Sequence, residues 1–301
     1  MTRRDSLRIF SAAAVAGPAA TFAQEPAASP MITRAIPSTG EKLPVIGMGT
    51  WQTFDVRPDE TAPLEEVLKA FVELGGKVLD SSPMYGNSEE IAGQMIGKFG
   101  LREKLFVATK VWTTGKQQGI EQMEASMKKL RSKPIDLMQV HNLQDVKTHL
   151  DTLRGWKKDG IIRYLGVTHY TASQHAAVEK MIASEALDFV QINYSVGERE
   201  AEEKLLPMAK DRGVAVIANR PFAGGNLFAK LREKPLPDWA KEIGCETWAQ
   251  ILLKFVISHP AMTCAIPATS KVKHLRDNMA AGHGPMPDEA MRKRIVDIAA
   301  A

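Results

Sequence analysis

From residue 31 onward the chain alternates two hydrophobic rhythms. Longer segments carry apolar residues at three-and-four spacing, as in LEEVLKAFVEL over 64–74, which predicts amphipathic helices. SEEIAGQMIGKF, IEQMEASMKKL, VKTHLDTLRGWKKDG and AEEKLLPMAKDRG repeat that spacing, several of them ending at a Gly that stops a helix. Between them lie short apolar runs that predict strands over 45–51, 77–82, 105–112, 136–142, 164–170, 189–195, 215–220 and 264–270. These runs are apolar on both faces, as parallel strands buried under helices require. Regular alternation implies a parallel sheet with right-handed crossovers. Eight units predict closure into a (β/α)8 TIM barrel, preceded by a short hairpin in MITRAIPSTGEKLPVIG with its turn at 38–40. An open dinucleotide-binding sheet would want GxGxxG between the first strand and its helix. The chain has Gly47-Met48-Gly49-Thr50-Trp51 there, without the third Gly.

Residues 1–30 follow neither rhythm. A charged start with paired Arg3 and Arg4 precedes a mildly apolar, Ala-rich stretch from Ile9 to Phe22, and Thr21-Phe22-Ala23 offers small residues for cleavage after Ala23. This is the three-part layout of a secretory signal peptide. The paired arginines resemble a bacterial twin-arginine leader, with Ser6 where that leader usually has Phe. The expectation is export to the periplasm by the twin-arginine machinery, with 24–30 as a Pro/Ala linker and 31–301 as the folded barrel. Gly17 and Pro18 interrupt the apolar stretch, and no later run reaches the ~20 apolar residues of a membrane span.

Charge and cysteine content narrow the field. The formal charge is +4, and losing three Arg and one Asp with the leader leaves +2. With no basic block and no aromatic-studded basic stripe, a nucleic-acid partner is not expected. Cys245 and Cys264 lack disulfide-framework or metal spacing and are expected as buried free thiols. A monomer is expected.

Polar residues gather at the carboxyl ends of the predicted strands, where barrels of this kind hold their active sites. LDSSPMYGNSEEIAG puts Asp80 five residues before Tyr85, ATKVW supplies Lys110 and LMQVHN supplies His141. Asp, Tyr, Lys and His in that order on successive strand ends resemble the catalytic tetrad of the aldo-keto reductases, TIM barrels that reduce carbonyls with NAD(P)H. The flanking words GMGTW, GVTHY, VQINYS and IPATSK match as well. Tyr85 is then the proton donor. A free phenol has a pKa of ~10, and Lys110 held beside it is expected to lower that value, with Asp80 keeping Lys110 charged and aimed. His141 would orient the substrate oxygen.

The same resemblance implies further sites. Trp51 and Trp112 would line the substrate pocket with Asn142, which stands where many relatives have a bulky apolar residue. Gly49 and Thr50 open the cofactor side. Thr168 and His169 would meet the nicotinamide carboxamide, with Gln191 as their partner; His169 replaces the usual Asn. Asn219 stands where a tyrosine commonly stacks on nicotinamide, and Arg220 would stack or reach the pyrophosphate. Phe222 and Gly224 begin a loop that covers the pyrophosphate in relatives. Thr269, Ser270 and Lys271 match the segment that holds the adenosine 2′-phosphate, His274 stands where an Arg often clamps it, and Asn278 matches an adenine contact. NADP(H) is therefore expected ahead of NAD(H), with a small carbonyl compound as substrate. Many relatives carry a longer C-terminal loop over the pocket, so the stop at Ala301 implies an open, undiscriminating substrate site. Two other readings stay open: a nucleotide-binding barrel that senses or docks with little turnover, and a metal-dependent hydrolytic barrel, for which His141 and His169 are too few ligands.

Overall fold

The computed structural model describes residues 30–300. The expected leader, with Arg3, Arg4 and the Ala23 cleavage point, lies outside the described residues apart from Pro30.

The hairpin is present as β1 (Thr33–Ala35) and β2 (Lys42–Pro44), antiparallel with Arg34 opposite Leu43. Eight parallel strands follow: β3 (Met48–Gly49), β4 (Val78–Asp80), β5 (Phe106–Val111), β6 (Ile135–His141), β7 (Ile162–Thr168), β8 (Phe189–Asn193), β9 (Ala215–Asn219) and β10 (Met262–Ala265). Each pairs with the next in chain order. Parallel bridges Ile46↔Ala265 and Gly49↔Ala268 bring the first strand back to the last, so the predicted barrel closes. Gly47 sits at that seam. A Cβ there would lie 2.9 Å from the Val78 carbonyl oxygen, so only glycine lets the backbones approach this closely.

Helices fill the crossovers: α1 (Ala62–Glu73), α2 (Ser88–Phe99), α3 (Lys116–Lys129), α4 (Val146–Lys158), α5 (His175–Ser184), α6 (Leu205–Asp211), α7 (Asn226–Leu231) and α8 (Trp248–Ser258). After β10 come α9 (Val272–Ala280) and α10 (Glu289–Ala300). The predicted strands overshoot mainly at their carboxyl ends; 264–270 becomes Met262–Ala265, starting two residues earlier and ending five earlier, and 45–51 is cut at both ends to Met48–Gly49. At those ends the backbone leaves the ladder to build loops, where polar residues such as Ser81, Asn142, Thr269 and Ser270 follow the apolar runs.

The core has two layers. One lies between barrel and helices. The other fills the barrel interior with Val78, Phe106, Ala108, Leu137, Tyr164, Phe189, Ala215, Ile217 and Cys264, and the hairpin's Ile36 and Leu43 close its lower end. Tyr164 donates to Glu41 at 2.6 Å, pinning the hairpin to the barrel floor. Side chains two apart along a strand share a face, so these apolar residues set what stands above them: Asp80 over Val78, Lys110 over Ala108, Gln139 and His141 over Leu137, Thr168 over Tyr164 and Gln191 over Phe189. The two cysteines are free and buried, as expected.

Candidate active site

The polar upper layer of the barrel interior forms one connected network. Lys110 is fully buried and donates to Asp80 Oδ2 and to the Ser81 carbonyl, both at 2.6 Å. Asp80 Oδ1 accepts from Gln191 Nε2 at 3.0 Å and Gln139 Nε2 at 3.3 Å. Gln191 Oε1 in turn accepts from the Thr168 hydroxyl at 3.0 Å. Strand register produces this arrangement, pairing Lys110 with Gln139, His141 with Thr168 and Thr168 with Gln191. A buried ion pair is tolerated only when its remaining hydrogen-bonding capacity is met, and here both partners have additional contacts.

Tyr85 reaches this network from the turn after β4. That turn is fixed from the loop after β3, where Asp55 Oδ1 accepts the Asn87 N–H at 2.8 Å. Gly86 has φ +56°, and a Cβ there would stand 2.2 Å from the Asp55 carboxylate. Glycine is therefore required twice over. The Lys110 ammonium lies 5.1 Å from the Tyr85 ring centroid, and the ring meets His141 edge-on at 5.9 Å. Lys110 has one N–H donor left for the phenol.

Burial raises the Tyr85 phenol above its ordinary value, and the Lys110 charge opposes that rise without overcoming it. The expectation that Lys110 would bring the phenol below a free tyrosine is thus corrected. Tyr85 keeps its proton at neutrality, as a proton donor must. For Lys110 the balance runs the other way. Burial presses it down, but Asp80 and Tyr85 outweigh burial and leave it raised, hence charged. Burial and the Lys110 charge push His141 down to about 2, so its imidazole is neutral. Ser82 Oγ lies 3.0 Å from His141 Nδ1 and accepts the Met84 N–H at 3.4 Å. The Ser82 proton is then free for Nδ1, a tautomer assignment that leaves the Nε2–H to face the cavity.

Above this floor opens a cavity of 630 Å³, within the size range that takes small ligands. Of the residues expected from sequence, Gly49, Thr50, Trp51, Asp80, Tyr85, Trp112, His141, Asn142, Thr168, Gln191, Asn219, Arg220, Phe222 and Gly224 line it. Lys110 lies just beneath. His169, Thr269, Ser270, Lys271, His274 and Asn278 do not line it. The His169 ring is held in its own loop, where Nδ1 accepts the Tyr170 N–H at 3.0 Å. Ser270, Lys271 and His274 are exposed at the start of α9, and Asn278 is buried further along it. His274 and Asn278, four residues apart, lie along one side of α9, and Lys271 is its extended N-cap residue.

The structure also brings in residues that sequence reasoning missed. Gln139 was readable, since it precedes His141 by two and must share its face. Ser82 and Asp55 had no distinguishing signal, nor did Met84, Tyr170 and Phe228, which join the cavity from separate loops.

The cavity wall after β9 is suited to a polar ligand. Asn219 Oδ1 and Arg220 Nε are buried without hydrogen-bond partners, although both residues line the cavity. Unmatched buried polar atoms are uncommon enough to mark places where a ligand group completes the wall. Among the described residues no group of His, Cys, Asp and Glu could hold a metal ion, and no helix is long and apolar enough to cross a membrane.

A network in which a charged Lys backs a proton-bearing Tyr at the mouth of a (β/α)8 barrel is a site that can give a proton to a substrate oxygen, and comparison supplies its class. Residues 45–298 match the aldo/keto reductase family model. The methylglyoxal reductase YeaE of Escherichia coli (strain K12) is 30% identical over 249 residues, covering 79% of this chain and 85% of that protein. A Klebsiella pneumoniae aldo/keto reductase solved in complex with NADP and acetate superposes with a TM-score of 0.73 at 25% identity, over 85% of this chain and 91% of that one. The thermostable aldo-keto reductase Tm1743 gives 0.74 at 27% identity, over 89% of this chain and all of that one. The chain belongs to the aldo/keto reductase family.

Proposed function

We propose that this protein reduces aldehydes or ketones to alcohols with NADPH, after export to the periplasm by the twin-arginine route. The observation that carries the reaction is the Asp80–Lys110–Tyr85–His141 constellation on the cavity floor. The Nε2–H of His141 orients the carbonyl oxygen beside the Tyr85 hydroxyl. Tyr85 gives its proton to that oxygen as negative charge develops there, and the Lys110 ammonium stabilises the phenolate left behind. Asp80 holds Lys110 charged and in place.

NADPH supplies the hydride. Thr168, Asn219 and Arg220 would hold its nicotinamide end, and Phe222 and Gly224 would flank the pyrophosphate. Thr269, Ser270 and Lys271, at the positive N-terminal end of α9, suit the 2′-phosphate, with His274 and Asn278 on the adenosine beyond. NADP in the Klebsiella relative supports the same choice. The leader pattern of residues 1–23 supports export, since a route that carries folded proteins allows the nucleotide to be loaded first.

Two measurements test this. NADPH and NADH titrated by protein fluorescence should give tighter NADPH binding; equal affinities would remove the cofactor choice. Protein from the periplasmic fraction should lack residues 1–23 and contain bound nucleotide. Full-length protein confined to the cytoplasm would remove the export assignment and leave the chemistry standing.

A further inference from the structure

We infer that Ser82 is a positioning residue for the reduction, its hydroxyl fixing His141 in the tautomer that donates to the substrate oxygen and its carbonyl fixing Tyr85 alongside, an inference that rests on the reductase reading above. The consecutive residues Asp80, Ser81 and Ser82 reach every other member of the constellation. Asp80 Oδ2 and the Ser81 carbonyl each accept from Lys110 at 2.6 Å. The Ser82 carbonyl accepts the Tyr85 N–H at 3.0 Å, and Ser82 Oγ lies 3.0 Å from His141 Nδ1. Tyr85 and His141 act on one substrate oxygen, so their placement relative to each other matters, and the same residue holds both.

Local sequence puts Ser82 there. Ser82-Pro83-Met84-Tyr85 is a β-turn closed by the Tyr85 N–H on the Ser82 carbonyl. Serine suits the first position of such a turn and proline the second. Proline also biases the residue before it to extended backbone. Side chains alternate along an extended chain. Ser81 accordingly turns to Thr50, whose hydroxyl donates to Ser81 Oγ at 2.9 Å. Ser82 turns the other way, to the side of Asp80 and His141. A serine opening a turn is ordinary; complete burial against a histidine ring sets this one apart.

Donors and acceptors around that hydroxyl leave one arrangement. Among the described residues Ser82 Oγ has two hydrogen-bond neighbours, the Met84 N–H and His141 Nδ1. The Met84 N–H can only donate to it, so the Ser82 proton goes to Nδ1 or to nothing. Were Nδ1 to carry the ring proton, the Ser82 proton would be buried without an acceptor, which is costly. His141 is neutral and has one ring proton to place. What one nitrogen bonds decides the state of the other, and here the proton falls on Nε2, facing the cavity. The opposite tautomer would turn a lone pair toward the carbonyl oxygen and oppose the negative charge that develops there.

Ser82→Ala removes the hydroxyl and keeps the carbonyl that holds Tyr85, so it tests the hydroxyl alone. Rates are measured with saturating NADPH and with methylglyoxal or benzaldehyde, whichever is reduced faster. Ser82→Ala should lower kcat about tenfold, a part of what loss of an oxyanion-stabilising donor costs outright. NADPH affinity should stay within a few-fold. The same change made in His141→Phe should have little further effect on the residual rate, because the ring through which the hydroxyl acts is gone. Nitrogen NMR of the histidine side chains, with the His141 signals identified by their loss in His141→Phe, should show a protonated Nε2 and a bare Nδ1 in wild type. A protonated Nδ1 in wild type, an unchanged kcat in Ser82→Ala, or an equal loss in both backgrounds overturns this inference and leaves the reductase reading intact. A wild type that binds NADPH and reduces neither aldehyde overturns the reductase reading, and the role of Ser82 with it.

Discussion

The floor of the cavity and its wall after β9 are built on opposite principles. On the floor, Asp80, Lys110, Thr168 and Gln191 satisfy one another within the fold, His141 is held by Ser82, and Gln139 Oε1 is left unmatched. On the wall, Asn219 Oδ1 and Arg220 Nε are buried and unmatched. Arg220 has φ +50° and Ala223 +49°, backbone that non-glycine residues rarely adopt. The Asp80–Lys110–Gln191–Thr168 chain holds its geometry through its own bonds, as expected of groups that must stabilise charge without reorganising during reaction. The wall spends stability on atoms and angles that a bound partner would repay. Substitutions on the floor should therefore reduce turnover, and substitutions on the wall should weaken nucleotide binding.

The largest effect should come from Tyr85→Phe, which deletes only the hydroxyl. Reduction of a reactive aldehyde should fall by about 100-fold or more, in line with loss of a general acid. NADPH affinity should stay within a few-fold. Near-normal turnover in this variant would remove Tyr85 as proton donor and favour a nucleotide-binding barrel with little catalysis.

Lys110→Met breaks the floor in two ways that can be separated. It leaves Asp80 as a buried, unpaired carboxylate, a change that typically costs about 3–5 kcal/mol and should lower the melting temperature by several degrees. It also removes the cation opposing burial at Tyr85, so the phenol rises further and the apparent pKa of the remaining activity moves to more alkaline pH. The double variant Asp80→Asn/Lys110→Met removes the stranded charge. It should recover much of the stability but only a small part of the pH profile, since the Asp80 charge also raises the phenol. His141, held neutral by burial and the Lys110 charge, should add no inflection in the ordinary imidazole range to the wild-type profile.

The floor was largely legible in the sequence and the wall much less so. Asp80, Lys110 and His141 stand at the ends of apolar runs, and strand periodicity fixes which way they face. Barrel closure then brings them together without further information. Tyr85 lies on a turn, but Gly86 and the helix beginning at Ser88 announced that turn. What periodicity could not supply was the balance of burial against charge, which reversed the expected direction for the phenol. The rim residues Met84, Tyr170 and Phe228 sit in loops, where no period relates one to another and only tertiary packing brings them to one mouth. The orientation of His169 escaped for a similar reason: local hydrogen bonds to Tyr170 and Thr171 hold its ring in the loop instead of over the cavity.

On the wall, Asn219→Leu removes the unmatched acceptor and keeps a side chain of similar size. NADPH binding should weaken about tenfold, or ~1.4 kcal/mol, with kcat at saturating nucleotide changed only a few-fold. Isothermal titration checks the first and initial rates the second. Equal binding by Asn219→Leu and wild type would show that Asn219 Oδ1 meets no ligand group, and the contrast between wall and floor would then rest on Arg220 alone.

The smallest effect should come from Lys271→Ala, at the start of α9 and outside the cavity. Its side chain is exposed, so water and salt screen whatever charge it offers a phosphate. NADPH affinity should fall about three- to fivefold at low ionic strength and approach wild type as salt is added. NADH lacks the extra phosphate, so its affinity should not change at any salt concentration. The variant thus separates two parts of the proposed nucleotide site: a nicotinamide end at the wall, set by buried, unmatched polar atoms and insensitive to salt, and an adenosine end at α9, set by exposed charge and sensitive to it. An equal loss for NADPH and NADH would place Lys271 on the pyrophosphate or in the stability of α9. The preference for NADPH would then have to come from Thr269, Ser270 or His274.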